Sequence, residues 1–146
     1  MSDAAPVAPH LYILADDLIW ATRLAGQGRT LGAAVVTLNG ISDLQALVAR
    51  GPLSDHDLIA IDTTTRGFEP EAAVRAAASA GRTLALAQHD DPSLRAALLE
   101  AGALRVMPYR ALFERGHAIL AELLGLPIPA VGSLEAPSGS GGQRNE

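Results

Sequence analysis

The sequence predicts an α/β fold: a doubly wound parallel sheet of five strands, each followed by a helix. Three observations predict it. Five short runs rich in Val, Ile and Leu recur along the chain. Four of them are nearly continuous in apolar residues, which is how a strand reads when both its faces are covered. Between the runs lie longer segments with helical spacing, with glycines at or just past their ends, where a left-handed residue closes a helix.

The strands are predicted over 11–14 (LYIL), 34–38 (AVVTL), 58–61 (LIAI) and 84–87 (LALA), with a weaker fifth over 104–107 (LRVM). The first helix is predicted over 17–31, with Trp20, Leu24 and Leu31 near helical spacing. The second, over 43–50, follows Ser42-x-x-Gln45, which reads as a capping box, with Leu44, Leu47 and Val48 on one face. The third, over 70–80, opens on Pro70, a residue the first helical turn tolerates, and continues in alanine. The fourth, over 92–101, has Asp91 as N-cap and Pro92 behind it, with Leu94, Leu98 and Leu99 as its apolar face. The fifth, over 111–124, carries Leu112, Ile119, Leu120, Leu123 and Leu124. Gly32, Gly51, Gly81, Gly102 and Gly125 supply the stops. Strict βα alternation with right-handed crossovers gives a flavodoxin-like (βα)5 sheet, with strand order 2-1-3-4-5 as the natural choice for five strands. Residues 1–9 form an N-terminal extension, 10–125 the domain, and 126–146 a Gly/Ser-rich tail expected to be disordered.

Composition excludes several function classes. The chain has 146 residues, of which 49% are hydrophobic, enough for one domain with a sizeable core. No stretch approaches the roughly 20 apolar residues of a membrane span, and the N-terminus lacks a signal-peptide pattern. With 0 cysteines there are no disulfides, thiol nucleophiles or thiolate metal sites, and a cytoplasmic location is expected. The net charge of -5 and the absence of a basic cluster argue against nucleic acid as a partner. All 11 positive side chains are arginine; there is no lysine.

Sheets of this kind bind ligands beyond the carboxyl ends of their strands, near the switch point between the first and third. The first strand ends in Asp16 and Asp17, and the third in Asp62. Three crowded carboxylates repel unless a cation joins them, and Mg²⁺ suits carboxylate and water ligands. Alternatively, Asp16 or Asp17 caps the first helix and Asp62 sits in a solvated loop.

From Leu11 to about Gly125 the chain resembles a response-regulator receiver (CheY-like) domain. The resemblance rests on ILADD after the first strand, LNGISDL for the second strand and its helix, DLIAID for the third strand, QHDDPSLRAALLEAGA for the fourth helix, and Pro108 after the fifth strand. It implies that Asp62 is the phospho-acceptor position. It further implies that Asp16, Asp17 and Asp62, with the Thr64 backbone carbonyl, could hold Mg²⁺. In-line phosphoryl transfer needs such positioning and positive charge.

Departures from the family pattern point to a degenerate receiver. The family's lysine before the proline is Met107 here, and no other lysine can replace it. The family's Thr or Ser at the end of the fourth strand aligns with Ala87, followed by Gln88. The proline usually found after the acceptor is Arg66, and the segment after the fifth strand is short. Losing one preorganised donor costs roughly 2.7–4 kcal/mol of transition-state stabilisation. Losing both phosphoryl contacts also removes the differential binding that would shift a conformational equilibrium. Arg105 and Arg110 are the cations nearest in sequence, but a guanidinium fork does not replace an ammonium without rearrangement.

The remaining candidates are weaker. His89 follows the fourth strand and reads as a loop histidine more readily than as a ligand, while His10, His56 and His117 lack metal-ligand spacing. Thr63, Thr64 and Thr65 suit loop backbone groups better than an anion. Gly26-x-Gly28 lies inside a helix, the wrong context for a dinucleotide loop. Trp20 reads as core. Arg105, Tyr109, Arg110 and Phe113 combine interface residue types, and the resemblance implies a docking or homodimer face formed by the fourth helix, fifth strand and fifth helix. The function expected is a stand-alone pseudo-receiver, a phosphorylation-independent protein-interaction module with no catalysis and no required cofactor. The alternatives are a single-domain response regulator phosphorylated on Asp62 and, with less support, a small nucleotide-binding α/β protein.

Overall fold

The computed structural model describes residues 7–64, 67–88 and 91–128. Predictions about Thr65, Arg66, His89, residues 1–6 and the tail from 129 onward lie outside these. The elements are β1 (His10–Leu14), α1 (Leu18–Leu31), β2 (Ala34–Leu38), α2 (Ile41–Ala49), β3 (Leu58–Asp62), α3 (Pro70–Ala80), β4 (Arg82–Ala87), α4 (Pro92–Glu100), β5 (Arg105–Pro108) and α5 (Tyr109–Leu124). The strands pair in parallel in the order β2-β1-β3-β4-β5, the flavodoxin-like arrangement predicted above.

The sheet is covered on both faces because successive strand residues point to opposite sides. Leu11, Ile13, Leu58, Ala60, Leu84, Leu86 and Met107 face α1 and α5. Tyr12, Leu14, Ile59, Ile61, Ala85 and Val106 face α2, α3 and α4. Each fully buried Leu or Ile contributes roughly 1.5–3 kcal/mol through area removed from water. Gly28 lets α1 approach β1 closely: a Cβ there would stand 2.7 Å from Leu11 Cδ2. Gly28 therefore belongs to helix packing, whereas Gly26 is exposed and a Cβ there would meet nothing within 4 Å.

Four local expectations are corrected. First, α2 begins at Ile41, not at 43, and its N-cap is Gly40 at φ 142°, a conformation that favours glycine. Ser42 falls inside the first turn and no side chain caps the helix, while Asp43 accepts the Asn39 N–H ahead of it at 2.8 Å. Second, Gly81 ends α3 in extended backbone (φ -174°), so no left-handed closure occurs there. Third, Leu99 is exposed, and Leu98 is the one buried residue of α4. Fourth, α5 starts at Tyr109, two residues early, because Pro108 holds the N-cap extended (φ -74°, ψ 152°) and the helix follows at once. The same helix breaks at Arg115 (φ -136°, ψ 26°). Beside the break, the Gln27 side-chain amide of α1 donates to the Leu112 carbonyl at 3.2 Å. Among the described residues no helix is long and apolar enough to cross a membrane.

Candidate functional site

The strand registers set the site. Asp62 pairs with Leu86 of β4, and Leu86 pairs with Met107 of β5. Asp62, Leu86 and Met107 thus form one row across three strands, on the α1/α5 face by the period of two. Met107 stands where a cationic side chain could reach toward Asp62, and it is buried. Ala87 is also buried and, one residue on from Leu86, projects to the opposite face. Gln88, not Ala87, borders the crevice.

Asp62 is only 1% exposed. Its Oδ1 accepts from the Thr64 N–H at 2.8 Å and from the Thr64 hydroxyl at 2.6 Å. Its Oδ2 is buried with no hydrogen-bond partner. The Thr63 hydroxyl donates to the Leu86 carbonyl at 2.8 Å, so this part of the threonine run does satisfy backbone groups. Asp62 is therefore not in a solvated loop. It ends a strand and lies under a lid.

Tyr109 and Trp20 form the lid. Tyr109 is buried, and its ring stacks on Trp20 with centroids 4.0 Å apart and planes 22° from parallel. Its hydroxyl lies near Asp62 and Thr64 without meeting hydrogen-bond geometry, so it too is buried without a partner. Burial pushes the phenol pKa up, and the Asp62 carboxylate pushes it further. Outside the lid is a cleft of about 510 Å³ lined by Asp17, Trp20, Thr64, Gln88, Tyr109, Arg110 and Phe113.

Asp16 and Asp17 occupy the exposed turn after β1. Asp17 caps α1: its Oδ1 accepts from the Ile19 N–H at 2.8 Å and the Trp20 N–H at 3.4 Å. Among the described residues, no group of three or more His, Asp or Glu side chains is placed to hold a metal ion. The expected set of Asp16, Asp17, Asp62 and the Thr64 carbonyl is thus not assembled. Asp17 Oδ1 accepts from the first turn of α1, and Asp62 Oδ1 from Thr64.

The residues expected to form one docking face divide. Tyr109 is withdrawn into the pocket, a correction that follows from the early start of α5. Arg105 pairs with Glu122 at 3.1 Å, and Arg110 with Glu114 at 3.6 Å. Phe113 is 60% exposed and turns toward α1, where the Arg23 guanidinium lies 4.5 Å from its ring centre. Trp20 is half-buried against the core and also serves the lid. His10 lies 3.5 Å from the buried Asp57 carboxylate, whose oxygens accept the His10 and Ser54 N–H groups. His56 stands by Gly125, and His117 borders a groove between α1 and α5.

Sequence reasoning missed the Trp20–Tyr109 pair and the place of Gln88. The signal for the pair was available: once Pro108 is taken as N-cap, Tyr109 occupies the first turn above the ends of β3 and β5.

No protein-family profile matches the chain, and no curated protein matches it in sequence. Solved structures do match. A response regulator from Thermotoga maritima superposes with a TM-score of 0.69 at 14% identity, covering 82% of this chain and 99% of that one. A response regulator receiver protein from Burkholderia phymatum gives 0.64 at 21%, covering 84% and 99%. A response regulator protein from Burkholderia pseudomallei, solved with a phosphorylated aspartic acid, calcium and citrate, gives 0.65 at 17%, covering 88% and 71%. In strand order, helix placement and extent, this chain has the CheY-like fold of response-regulator receiver domains.

Proposed function

We propose that this domain is a degenerate receiver, a phosphorylation-independent protein-interaction module of bacterial signalling or regulation that acts in the cytoplasm without catalysis of its own. One observation carries this reading. The acceptor-position carboxylate Asp62 is 1% exposed, its second oxygen is buried, and the buried Tyr109, stacked on Trp20, lies beside it. Two features support it. The row that ends at Met107 offers no ammonium to a phosphoryl group, and Ala87 offers no hydroxyl. Without those contacts, phosphate on Asp62 would gain no differential hold on an active conformation. The test is incubation with acetyl phosphate and Mg²⁺ followed by intact mass measurement. The expected result is an unchanged mass. A stoichiometric mass gain that disappears in Asp62→Asn would instead establish a phosphorylatable response regulator.

A further inference from the structure

We infer that the groove between α1 and α5 is the docking surface of this module, and that its occupant is an acidic amphipathic helix of a partner protein. The inference rests on the interaction-module reading and adds the surface and the chemistry of the partner. The groove encloses about 790 Å³ and is walled by residues from both helices. Its apolar contacts are large and solvent-facing: Ile19 is 72% exposed, Phe113 60% and Ile128 58%. Three exposed apolar side chains around one groove mark an interaction site more than scattered surface residues do.

Charge selects the partner. The chain as a whole carries -5. The groove reverses that sign, with Arg23 and Arg115 along it and Glu114 as its one carboxylate. Glu114 is already engaged by Arg110. Among the described residues no carboxylate pairs with Arg23 or Arg115. Arg23 instead lies over the Phe113 and Trp20 rings, 4.5 and 5.9 Å from their centres. An apolar groove with unpaired guanidinium groups is complementary to a helix presenting apolar residues at i, i+3/i+4 and i+7 flanked by Asp and Glu. A second copy of this acidic chain is a poorer match. The broken turn of α5 at Arg115 forms part of one wall.

The test selects binders to the full-length protein from a displayed library of 16-residue helical peptides, then measures affinities by Trp20 fluorescence. The expected winners are acidic and amphipathic. Phe113→Ala, Ile19→Ala and Arg23→Glu should each weaken them about tenfold or more, the scale of an interface hot spot. These positions lie on the surface, and a circular dichroism spectrum checks that each variant is folded. Winners that are basic, or that bind Phe113→Ala and Arg23→Glu as tightly as the parent, overturn the inference. So does a dimer in sedimentation that Phe113→Glu dissociates, which would give the groove to a second copy. So does a gain in peptide affinity on Leu134→Asp, which would give it to the chain's own tail. These outcomes leave the acetyl phosphate result untouched, so failure of the groove and failure of the interaction-module reading are separable.

Discussion

Tyr109 lies flat on Trp20, ring centre to ring centre 4.0 Å, at the junction of the first and last helices. The stack closes the crevice in which Asp62 sits, and it leaves two polar atoms, Asp62 Oδ2 and the Tyr109 hydroxyl, without partners. A buried polar atom without a partner costs about 1–3 kcal/mol.

Tyr109→Phe removes one of the unpaired atoms while keeping the stack. It should raise stability by about 1 kcal/mol, read from the urea midpoint at constant slope. Asp62→Asn keeps the oxygen that Thr64 holds and supplies an N–H group toward the phenol. It should also stabilise, by on the order of 1 kcal/mol. A loss in both variants would mean that the two groups support each other.

The raised phenol pKa makes stability fall in alkali. In the unfolded chain Tyr109 ionises at its ordinary value of 10.0, whereas in the folded chain it stays protonated well above that. Below 10.0 both states hold the proton and the contribution is fully present. Above it the unfolded state releases a proton that the folded state keeps, and each pH unit costs about 1.4 kcal/mol. With no lysine in the chain, few other groups titrate in this range. Chemical denaturation from pH 9 to 11, at roughly half-unit steps, should show this fall in the parent and a shallower one in Tyr109→Phe.

A Cβ on Gly116 would lie 2.2 Å from Gln27 Nε2, so a side chain there must displace the Gln27 amide and its hydrogen bond to the Leu112 carbonyl. Gly116→Ala should cost about 1–3 kcal/mol through overpacking. Gln27→Ala should recover part of that loss in the double variant, so the double-mutant cycle should show coupling. Additive losses would contradict the contact.

Asp17 has a measurable structural duty as the N-cap of α1. Asp17→Ala should cost about 1 kcal/mol and Asp17→Ser much less. If instead Asp17→Ala stabilises the chain only when Mg²⁺ is absent, the carboxylate belongs to a cation site.

Much of the architecture was legible in the sequence. The apolar runs located all five strands, Pro70 and Pro92 marked two helix starts, and Asp17 and Asp91 behave as the caps their positions suggest. The candidate site was half legible. That Asp62 ends β3 follows from the run before it, whereas its burial depends on a residue 47 positions away. Tyr109 read as a surface residue because the helix was expected at 111, and two residues of a helix turn a side chain through about 200°. The order of Gln88 and Ala87 around the crevice depends on strand parity, which a register error of one residue inverts. The break at Arg115 has one local cue, Gly116 beside it; the contact of that glycine with Gln27 of α1 is not readable from the sequence.

If Asp62 is closed to phosphate and phosphate does not switch the domain, amide NMR of the full chain during titration with beryllofluoride and Mg²⁺ will show unchanged signals for Asp62, Thr64, Met107, Tyr109 and the Trp20 indole. Saturable shifts at these residues that vanish in Asp62→Asn would contradict this, showing that the aromatic lid opens and that the carboxylate still receives a phosphoryl group.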